Sequence, residues 1–504
     1  MEPVPDNDYS LKTILKHSTQ SRVVDDVQPY PNEMFPSDKL WKEEIPDYEA
    51  LIKHLRLEGR LNKSDIMRLC EECITIFSNE LNVLEVKAPC VVVGDIHGQF
   101  FDLLRLLELG GSPASTRYLF LGDYCDRGSF SCETLILLFV LKFAFPRTFF
   151  MLRGNHECRQ MTAYFNFKTE CLVKYDDEVY EAFCSVFDML PLCAVLDNRF
   201  FCVHGGLSPR LETIDQIAEI DRFRETPDRG AFADLLWADP VEKNIEFAPN
   251  DQRGCSVYYG NQAAVAFLRR NNLYSIIRGH EVREKGFSTG KKLKPIDFPA
   301  VITIFSAPNY IDSYGNKGAI MIITKQKVKF KQFDNSPHPY WLPGFLDVFS
   351  WSLPFIAENI TSLLVSMADY AVKHPPKTEE RSTIDEQKAN RIKAKIRAMG
   401  RMAKMFKTLR QESESLLKLK NLTNGKLPVG ILSGGSEAIQ DALASFDMAV
   451  EVDKTNERHP AFVDHSMKLA ENELHFEHAE MVENIQENME SASDEDELQL
   501  ETNK

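Results

Sequence analysis

The chain has 504 residues, 43% of them hydrophobic and 27% charged, which is enough for one catalytic core of about 250–300 residues with extensions. Its 59 basic and 75 acidic residues give a formal charge of −16, and this argues against a general nucleic-acid binder because such proteins are usually basic. The longest apolar run, residues 135–146, is interrupted by Lys142 and is too short to cross a bilayer.

The composition changes along the chain and predicts a series of segments. Residues 1–45 form an irregular arm, and residues 46–338 have the alternating apolar and helix-like texture of a catalytic domain. An apolar stretch at 339–372 is followed by a polar linker at 373–390 and a basic stretch at 391–412. We expect a disordered linker at 413–443, a further segment at 444–462 and a disordered acidic tail at 463–504.

The start of the sequence and the cysteines bear on location. The first residues have neither a basic n-region nor an apolar h-region, so no secretory signal is visible. The 11 cysteines are odd in number and are read as reduced thiols. We therefore expect a cytoplasmic protein, with the nucleus as the alternative location.

Five apolar segments in the catalytic region run directly into polar, glycine-containing turns. Each apolar segment reads as a strand buried on both faces, and ligands bind at the carboxyl ends of strands in layered α/β proteins. The turns that follow are GDIHG (94–98), GDYCDRG (122–128), RGNHE (153–157), HGG (204–206) and RGHE (278–281).

These turns supply a set of nitrogen and oxygen ligands without a thiolate. Such a set suits divalent metals of the Zn, Fe or Mn type. It is too large for one four-coordinate ion, so we predict two ions about 3.5–4 Å apart that share a carboxylate. The predicted ligands are Asp95, His97, Asp123, Asn155, His204 and His280.

Further polar residues in the same turns fit phosphoryl transfer. Arg127 and Arg253 are candidates for binding phosphate oxygens, because a guanidinium fork matches their geometry. His156 is a candidate acid for the leaving oxygen, and Asp126 a candidate to hold its imidazolium. With no GxSxG nucleophile turn in the sequence, direct attack by a hydroxide bound to the metal pair is the simpler mechanism. Any one motif could be purely structural; six such residues after five similar strands favour the metal site.

Taken together, the five motifs resemble the phosphoprotein phosphatase family of serine/threonine phosphatases over residues 46–335. The resemblance implies a layered αββα fold, in which a central β-sandwich is flanked by helices. Periodicity alone leaves a parallel α/β sheet equally open. The family assigns the metal, acid and arginine roles to the same residues, and SAPNY (306–310) places Tyr310 beside the site. A nucleotide or dinucleotide polyphosphate hydrolase is the alternative within the same metal chemistry.

The apolar stretch 338–355 resembles the start of the regulatory-subunit-binding helix of the calmodulin-dependent branch of that family, the calcineurins. The resemblance implies an EF-hand regulatory subunit as partner. A helix that is apolar on nearly all sides must be covered by something. Packing on the catalytic domain itself, or on a membrane surface, is the alternative.

The basic stretch at 391–412 has the pattern of a calmodulin target. Ile392, Ile396, Met399 and Met405 lie at relative positions 1, 5, 8 and 14, Phe406 extends the apolar face, and Lys and Arg cover the rest. Nuclear localisation, nucleic acid or an anionic membrane would use the same charges, but the apolar spacing favours calmodulin.

The last predicted sites follow from the same resemblance. Residues 445–460 resemble the calcineurin autoinhibitory segment, with Phe446, Glu457 and Arg458 as its candidate contacts; the alternative is a disordered spacer. Val328, Lys329 and Phe330 would form an edge strand for PxIxIT-type phosphoprotein substrates, unless they are a plain surface strand. Trp351 and Phe355 would help to bind LxVP-type peptides. The sequence as a whole predicts a Ca²⁺/calmodulin-activated serine/threonine protein phosphatase.

Overall fold

The structure is a computed structural model, and it describes most of the chain between residues 31 and 460. The described ranges are 31, 33–41, 45–293, 297–345, individual positions between 347 and 370, 408–409, 411–423, 427–428, 431–443, 445–454 and 456–460. Within them, the 11 cysteines are all buried and unpaired by disulfides. No helix in these ranges is long and apolar enough to span a membrane.

The strands and helices are numbered here in chain order. The strands are β1 Val83–Val86, β2 Cys90–Val93, β3 Tyr118–Phe120, β4 Phe149–Met151, β5 Cys193–Leu196, β6 Phe200–Val203, β7 Asp239–Pro240, β8 Phe247–Pro249, β9 Val257–Tyr259, β10 Ser275–Arg278, β11 Phe287–Thr289, β12 Lys292–Leu293, β13 Phe298–Pro299, β14 Val301–Ile304, β15 Gly318–Ile323 and β16 Val328–Phe333. The helices are α1 Ser37–Trp41, α2 Tyr48–Arg56, α3 Lys63–Ser78, α4 Phe100–Gly110, α5 Ser131–Ala144, α6 Arg159–Tyr164, α7 Phe167–Lys174, α8 Asp177–Phe187, α9 Ile214–Ala218, α10 Ala231–Trp237, α11 Asn261–Arg270, α12 Ser413–Leu422, α13 Ile431–Ala442 and α14 Phe446–Asp453.

Two mixed sheets form the centre of the molecule. One has the strand order β1-β5-β6-β10-β14-β11, and the other has the order β16-β15-β2-β3-β4. In the second sheet β2, β3 and β4 are parallel and in register, so that Val93, Phe120 and Met151 lie side by side near the strand ends. In the first sheet β6 and β10 are also parallel. The polar turns that follow these strands therefore leave each sheet at its carboxyl edge.

The sheets pack face to face, and helices cover their outer faces. Val92 and Leu119 point into the layer between the sheets, where they meet Ile277 and Ile302. Their neighbours Val91 and Val93 point the other way, into the core formed with α3, α5 and α8. A second helical core containing α10 and α11 covers the other sheet. The predicted β-sandwich flanked by helices is confirmed. The alternative of a single parallel sheet, which periodicity had left undecided, is excluded.

The C-terminal region differs from the disordered linker expected at 413–443. Helices α12 and α13 lie there, and Leu419, Leu422 and Ile439 are fully buried. The leucines of α12 recur on one face and pack on Tyr310 and Tyr314 of the catalytic domain. Helices in a polar segment are stabilised mainly by packing on another part of the protein. The composition of the segment does not reveal such packing.

The apolar stretch expected at 339–372 is partly described. Its described positions from 349 to 370 are mostly helical, and large apolar side chains there are exposed rather than packed on the catalytic domain. They include Phe349, Ile356, Ile360, Leu363, Leu364, Met367 and Tyr370. The N-terminal arm up to residue 30, the linker 373–390 and the acidic tail lie outside the described residues.

Candidate metal and phosphate site

The ends of five central strands bring the predicted ligands to one place between the two sheets. Asp95 follows β2 and forms an isolated parallel bridge to Phe305, which joins the two sheets at this edge. Several of the site residues have left-handed backbone conformations, with φ of 48° at His97, 56° at Asp123 and 64° at His280. Non-glycine residues hold such angles only where the surroundings impose them, as at functional sites.

Asp123 lies at the centre of the cluster. Its Oδ2 is 3.5 Å from Nε2 of His97 and 3.4 Å from Nε2 of His204. Two groups of side chains could each hold a cation, His97 with Asp123 and His156, and Asp123 with His204 and His280. Because the Asp123 carboxylate belongs to both groups, it is placed as a bridging ligand would be.

The two remaining predicted ligands border the same cluster. Oδ2 of Asp95 is 3.9 Å from Nε2 of His97, and its carboxylate accepts the His280 amide N–H at 3.0 Å. Oδ1 of Asn155 is 2.9 Å from Nε2 of His204. All six predicted ligands are thus brought together.

The imidazoles are oriented as ligands would be. Nδ1 of His97 donates to the Cys125 carbonyl at 3.0 Å, and Nδ1 of His204 donates to the Leu121 carbonyl at 3.2 Å, which leaves each Nε2 facing the cluster. Nε2 of His280 is buried and has no hydrogen-bond partner among the described residues. Backbone carbonyls that fix the ring tautomer are typical of metal-ligating histidines. The donor set therefore fits metal ions.

The pKa shifts of Asp95 and His97 agree with this fit. Burial raises the pKa of Asp95 to about 7, so its charged form lacks compensation from the protein alone. Burial, together with the nearby His156, lowers the pKa of His97 to about 3, which keeps that ring neutral as a ligand requires.

His156 has the opposite preference, as a proton donor requires. Burial lowers its pKa, but Asp123 and Asp126 outweigh this and raise the pKa to about 9. Its Nδ1 donates to Asp126 Oδ2 at 2.8 Å, and Asp126 Oδ1 accepts the Phe167 amide at 2.9 Å. The imidazolium is therefore held in one orientation at neutral pH.

Two buried arginines flank the cluster. Arg127 donates from Nε to the Tyr310 hydroxyl at 3.2 Å, and its Nη1 is buried without a partner among the described residues. Arg253 is held by Asp239 through Nε at 2.9 Å and by the His280 carbonyl through Nη2 at 3.0 Å. Each guanidinium has a further Nη donor beyond these contacts.

One such donor of each arginine is bound by a carboxylate from the C-terminal segment 446–460. Nη2 of Arg127 donates to Asp453, and Nη1 of Arg253 donates to Glu457. Asp453 is fully buried and also accepts the Tyr314 hydroxyl at 2.7 Å. Glu457 lines the same small cavity as five of the six predicted ligands. The segment thus lies in the cleft, beside the cluster of predicted ligands.

The three predicted contacts of this segment have different positions. Phe446 packs on Tyr314 with ring centroids 5.8 Å apart, and Glu457 lies in the cleft. Arg458 was expected in the cleft but lies at its rim, where it donates to the Asp251 carbonyl at 3.2 Å. A third cation beside two arginines would be repelled, whereas the rim is exposed to solvent.

Sequence reasoning missed two residues of this contact. Asp453 was not singled out, although it is the last residue of an amphipathic helix that begins at an N-capping serine, Ser445. His459 is the second residue, and it was not among the predicted contacts either. Its ring packs against Trp237 at a tilt of 59° with centroids 5.0 Å apart, and its amide N–H donates to the Arg253 carbonyl at 2.9 Å.

The predicted docking residues are described in part. Val328, Lys329 and Phe330 belong to β16, the edge strand of its sheet, and the Phe330 ring stacks on Phe287 with centroids 4.2 Å apart. Lys329 is exposed. The remaining predicted docking and calmodulin-binding residues lie outside the described residues: Trp351, Phe355, Ile392, Ile396, Met399, Met405 and Phe406.

Comparison with known proteins gives concordant matches. A profile of the calcineurin-like phosphoesterase family matches residues 88–284. Two Saccharomyces cerevisiae proteins, serine/threonine-protein phosphatase 2B catalytic subunits A1 and A2, are 42% and 38% identical over 500 and 521 residues. The alignments cover 90% of this chain in both cases, and 90% and 86% of those proteins.

One solved structure extends the match to three dimensions. It is a serine/threonine phosphatase from Saccharomyces cerevisiae described as similar to human phosphatase PP5. The two sequences are 33% identical, the match covers 59% of this chain and 99% of that one, and the TM-score is 0.53. The family resemblance drawn from the five motifs is confirmed.

Proposed function

This chain belongs to the family of serine/threonine-protein phosphatase 2B catalytic subunits, the calcineurins, and from that membership we propose that Ca²⁺/calmodulin activates it by removing residues 446–460 from its active site. The phosphatase activity itself follows from the family, and the alternative of a nucleotide hydrolase is set aside. The observation that carries the regulatory part is the pairing of both cleft arginines with carboxylates of the C-terminal segment.

In the reaction, Arg127 and Arg253 bind two phosphoryl oxygens through the donors that now meet Asp453 and Glu457. His156 donates its proton to the departing seryl or threonyl oxygen, and Asp126 holds the ring for that transfer. Two divalent or trivalent cations, Fe and Zn with Mn as a possible substitute, would lower the pKa of water and neutralise phosphoryl charge when held by the six ligands. A dimetal centre is implied by the phosphatase family, and the identity of its metals is part of the proposal.

The inhibitory contact imitates the substrate's charge. The carboxylates of Asp453 and Glu457 satisfy the guanidinium groups that phosphate would otherwise bind. Because the segment is tethered to the catalytic domain, its effective concentration is on the order of millimolar, so moderate affinity is enough to block the site.

Calmodulin binding at 391–412 would remove this contact through the helices that follow. Helix α12 begins at Ser413, directly after the calmodulin target, and its Leu419 and Leu422 are buried against the catalytic domain. Asn456 of the inhibitory segment donates to the Leu422 carbonyl at 2.8 Å. A partner that binds only the undocked chain shifts the equilibrium away from the docked state.

Other partners follow from exposed surfaces. The apolar positions between Phe349 and Tyr370 would be covered by an EF-hand regulatory subunit of the calcineurin B type. The free edge of β16 would accept a PxIxIT-type peptide of a phosphoprotein substrate as an added strand. Trp351 and Phe355 would contribute to an LxVP-type site.

Phosphopeptide hydrolysis tests the proposal. We expect the full chain with its regulatory subunit to be slow without Ca²⁺/calmodulin and fast with it, and a chain ending at residue 390 to be fast in both conditions. Equal activity of the full chain in both conditions, or a truncated chain that stays calmodulin-dependent, would contradict it.

A further inference from the structure

The loop 308–312 carries Tyr310 to Arg127 in a conformation that needs outside support. The backbone is left-handed at Asn309, Ile311 and Asp312, with φ of 41°, 48° and 58°. Non-glycine residues adopt this region only where surrounding contacts impose it. The stability of the loop therefore depends on what it is tied to.

Two residues outside the loop hold its start, Asn316 after it and Gln99 before it. The Asn316 side chain accepts the Tyr310 amide at 2.8 Å and donates to the Ala307 carbonyl at 3.0 Å. From α4, Gln99 donates through Nε2 to the Pro308 carbonyl at 2.8 Å. These contacts fix the start of the loop, and within the loop the Asp312 amide donates to the Asn309 carbonyl at 2.8 Å. The Asp312 side chain is held from outside the loop.

A second set of ties comes from the stretch 336–338, which leads from β16 to the exposed apolar helix. His338 donates from Nε2 to Asp312 Oδ1 at 3.1 Å and from Nδ1 to the Pro339 carbonyl at 2.8 Å. Because both ring nitrogens face acceptors, the doubly protonated imidazolium is the form that satisfies the site. The ring also packs near Phe101 and Phe130.

The same stretch reaches the start of the loop through Asp102. Its Oδ1 accepts the Ser336 amide at 2.6 Å, and its Oδ2 accepts Gln99 Nε2 at 2.8 Å, the group that also holds Pro308. Asp102 is only 4% exposed. One stretch of chain outside the catalytic sheet thus reaches both ends of the loop.

We infer that the stretch 336–338 braces the loop 308–312, with His338 and Asp102 as positioning residues that keep the Tyr310 hydroxyl on Arg127. Neither residue touches the phosphate site; each acts through the loop. The inference rests on the phosphate-binding role proposed for Arg127. It adds to the phosphate site a stretch of chain that follows β16. None of the five motifs includes that stretch.

The brace has a defined pH dependence. The hydrogen bond to Asp312 is the main cause that raises the pKa of His338 to about 9, against burial, and the charges of Asp312 and Asp102 add to it. The folded-state pKa lies above the ordinary value, so the tie is fully present below about pH 6.5 and is lost as pH rises through about 9. Asp312 of the loop and Asp102 of α4 are the acidic groups that face the ring, and Arg127 lines the same pocket.

Hydrolysis of p-nitrophenyl phosphate by the full chain, with its regulatory subunit and Ca²⁺/calmodulin, tests this inference. The variants are His338→Ala, Asp312→Asn and the double variant, with Asp102→Asn as an independent probe of the other tie. Glu108→Ala, which breaks only an exposed pair with Arg105 on α4, is the matched control.

We expect kcat/KM at pH 7 to fall about two- to fivefold in each single variant, the range for a partly exposed ion pair, and no further in the Asp312/His338 double variant. The ratio of wild type to His338→Ala should approach one above pH 9. The control should match wild type.

Two results would overturn the inference. One is a kcat/KM that stays unchanged in both His338→Ala and Asp102→Asn. The other is a loss of kcat/KM in His338→Ala that is the same at pH 7 and above pH 9. Tyr310→Phe separates this from the proposed function. If Tyr310→Phe also has wild-type kcat/KM, the Arg127–Tyr310 contact does not contribute to phosphate binding. That result would contradict the role proposed for this contact in the active site, and not only the brace.

Discussion

The replacement Asp453→Asn gives the sharpest test of how the C-terminal segment blocks the cleft. The side chains of Asp453 and Arg127 are 0% and 2% exposed, so their ion pair has little solvent screening. Loss of one charge from a buried pair costs about 3 kcal/mol, at the lower end of the usual range because an asparagine still accepts one hydrogen bond. That cost corresponds to a shift of about 150-fold in the docking equilibrium.

The assay is phosphopeptide hydrolysis by the full chain with its regulatory subunit and without Ca²⁺/calmodulin. Activity of Asp453→Asn should rise toward the calmodulin-activated rate, because Arg127 is released and remains intact. Glu451→Gln is the matched control, since Glu451 lies on the same helix, is exposed and pairs only with Lys454 among the described residues. If Asp453→Asn stays as slow as wild type and Glu451→Gln, the ion pair with Arg127 does not hold the segment in the cleft.

Three further predictions follow from the same structure. Glu457→Gln should raise calmodulin-independent activity less than Asp453→Asn, because its pair with Arg253 is 28% exposed on the Glu457 side; a larger rise would contradict the ranking. Lys174→Met should lower the melting temperature by about 6–15 °C, measured by calorimetry, because it leaves Glu133 and Glu170 buried without a counter-charge; an unchanged melting temperature would refute this. Removal of metals by a chelator should also lower the melting temperature and Mn²⁺ should restore it, since a ligand bound only by the folded state stabilises that state; no response to either would count against the metal cluster.

The site was more predictable from sequence than the fold around it. Asp95, His97 and Asp123 sit in short motifs directly after apolar strands, so local sequence already places them at the carboxyl ends of those strands. Their convergence then follows from the parallel pairing of β2 and β3. The β-sandwich has no comparable sequence pattern. Val91, Val92 and Val93 are all buried, because the strand is covered on both faces. Such a strand lacks the alternation of apolar and polar residues that would identify a single buried face.

The C-terminal contacts were the least predictable part. Phe446 and Glu457 could be proposed from the family resemblance, but which carboxylate meets which arginine depends on how the segment docks. Asp453 and Arg127 are 326 residues apart in sequence, and no local pattern relates them. Helix α12 is similar: its leucines become a buried stripe only because the loop around Tyr310 and Tyr314 lies opposite.

The contact between the stretch 336–338 and the loop 308–312 could not be predicted from sequence either, because it too joins residues distant in the chain. His338 stood within the apolar stretch read as the start of a partner-binding helix, and nothing nearby pointed to Asp312. Single hydrogen bonds between segments of this kind depend on tertiary geometry, so only the structure reveals them.

Six side chains from five strand ends are placed to hold two metal ions on either side of the Asp123 carboxylate. Anomalous diffraction from crystals of the full chain grown with Mn²⁺ tests it directly. We predict two peaks flanking the Asp123 carboxylate, each about 2.0–2.2 Å from its protein ligands. No peak in this cleft, or peaks bound by residues other than the six, would contradict the account.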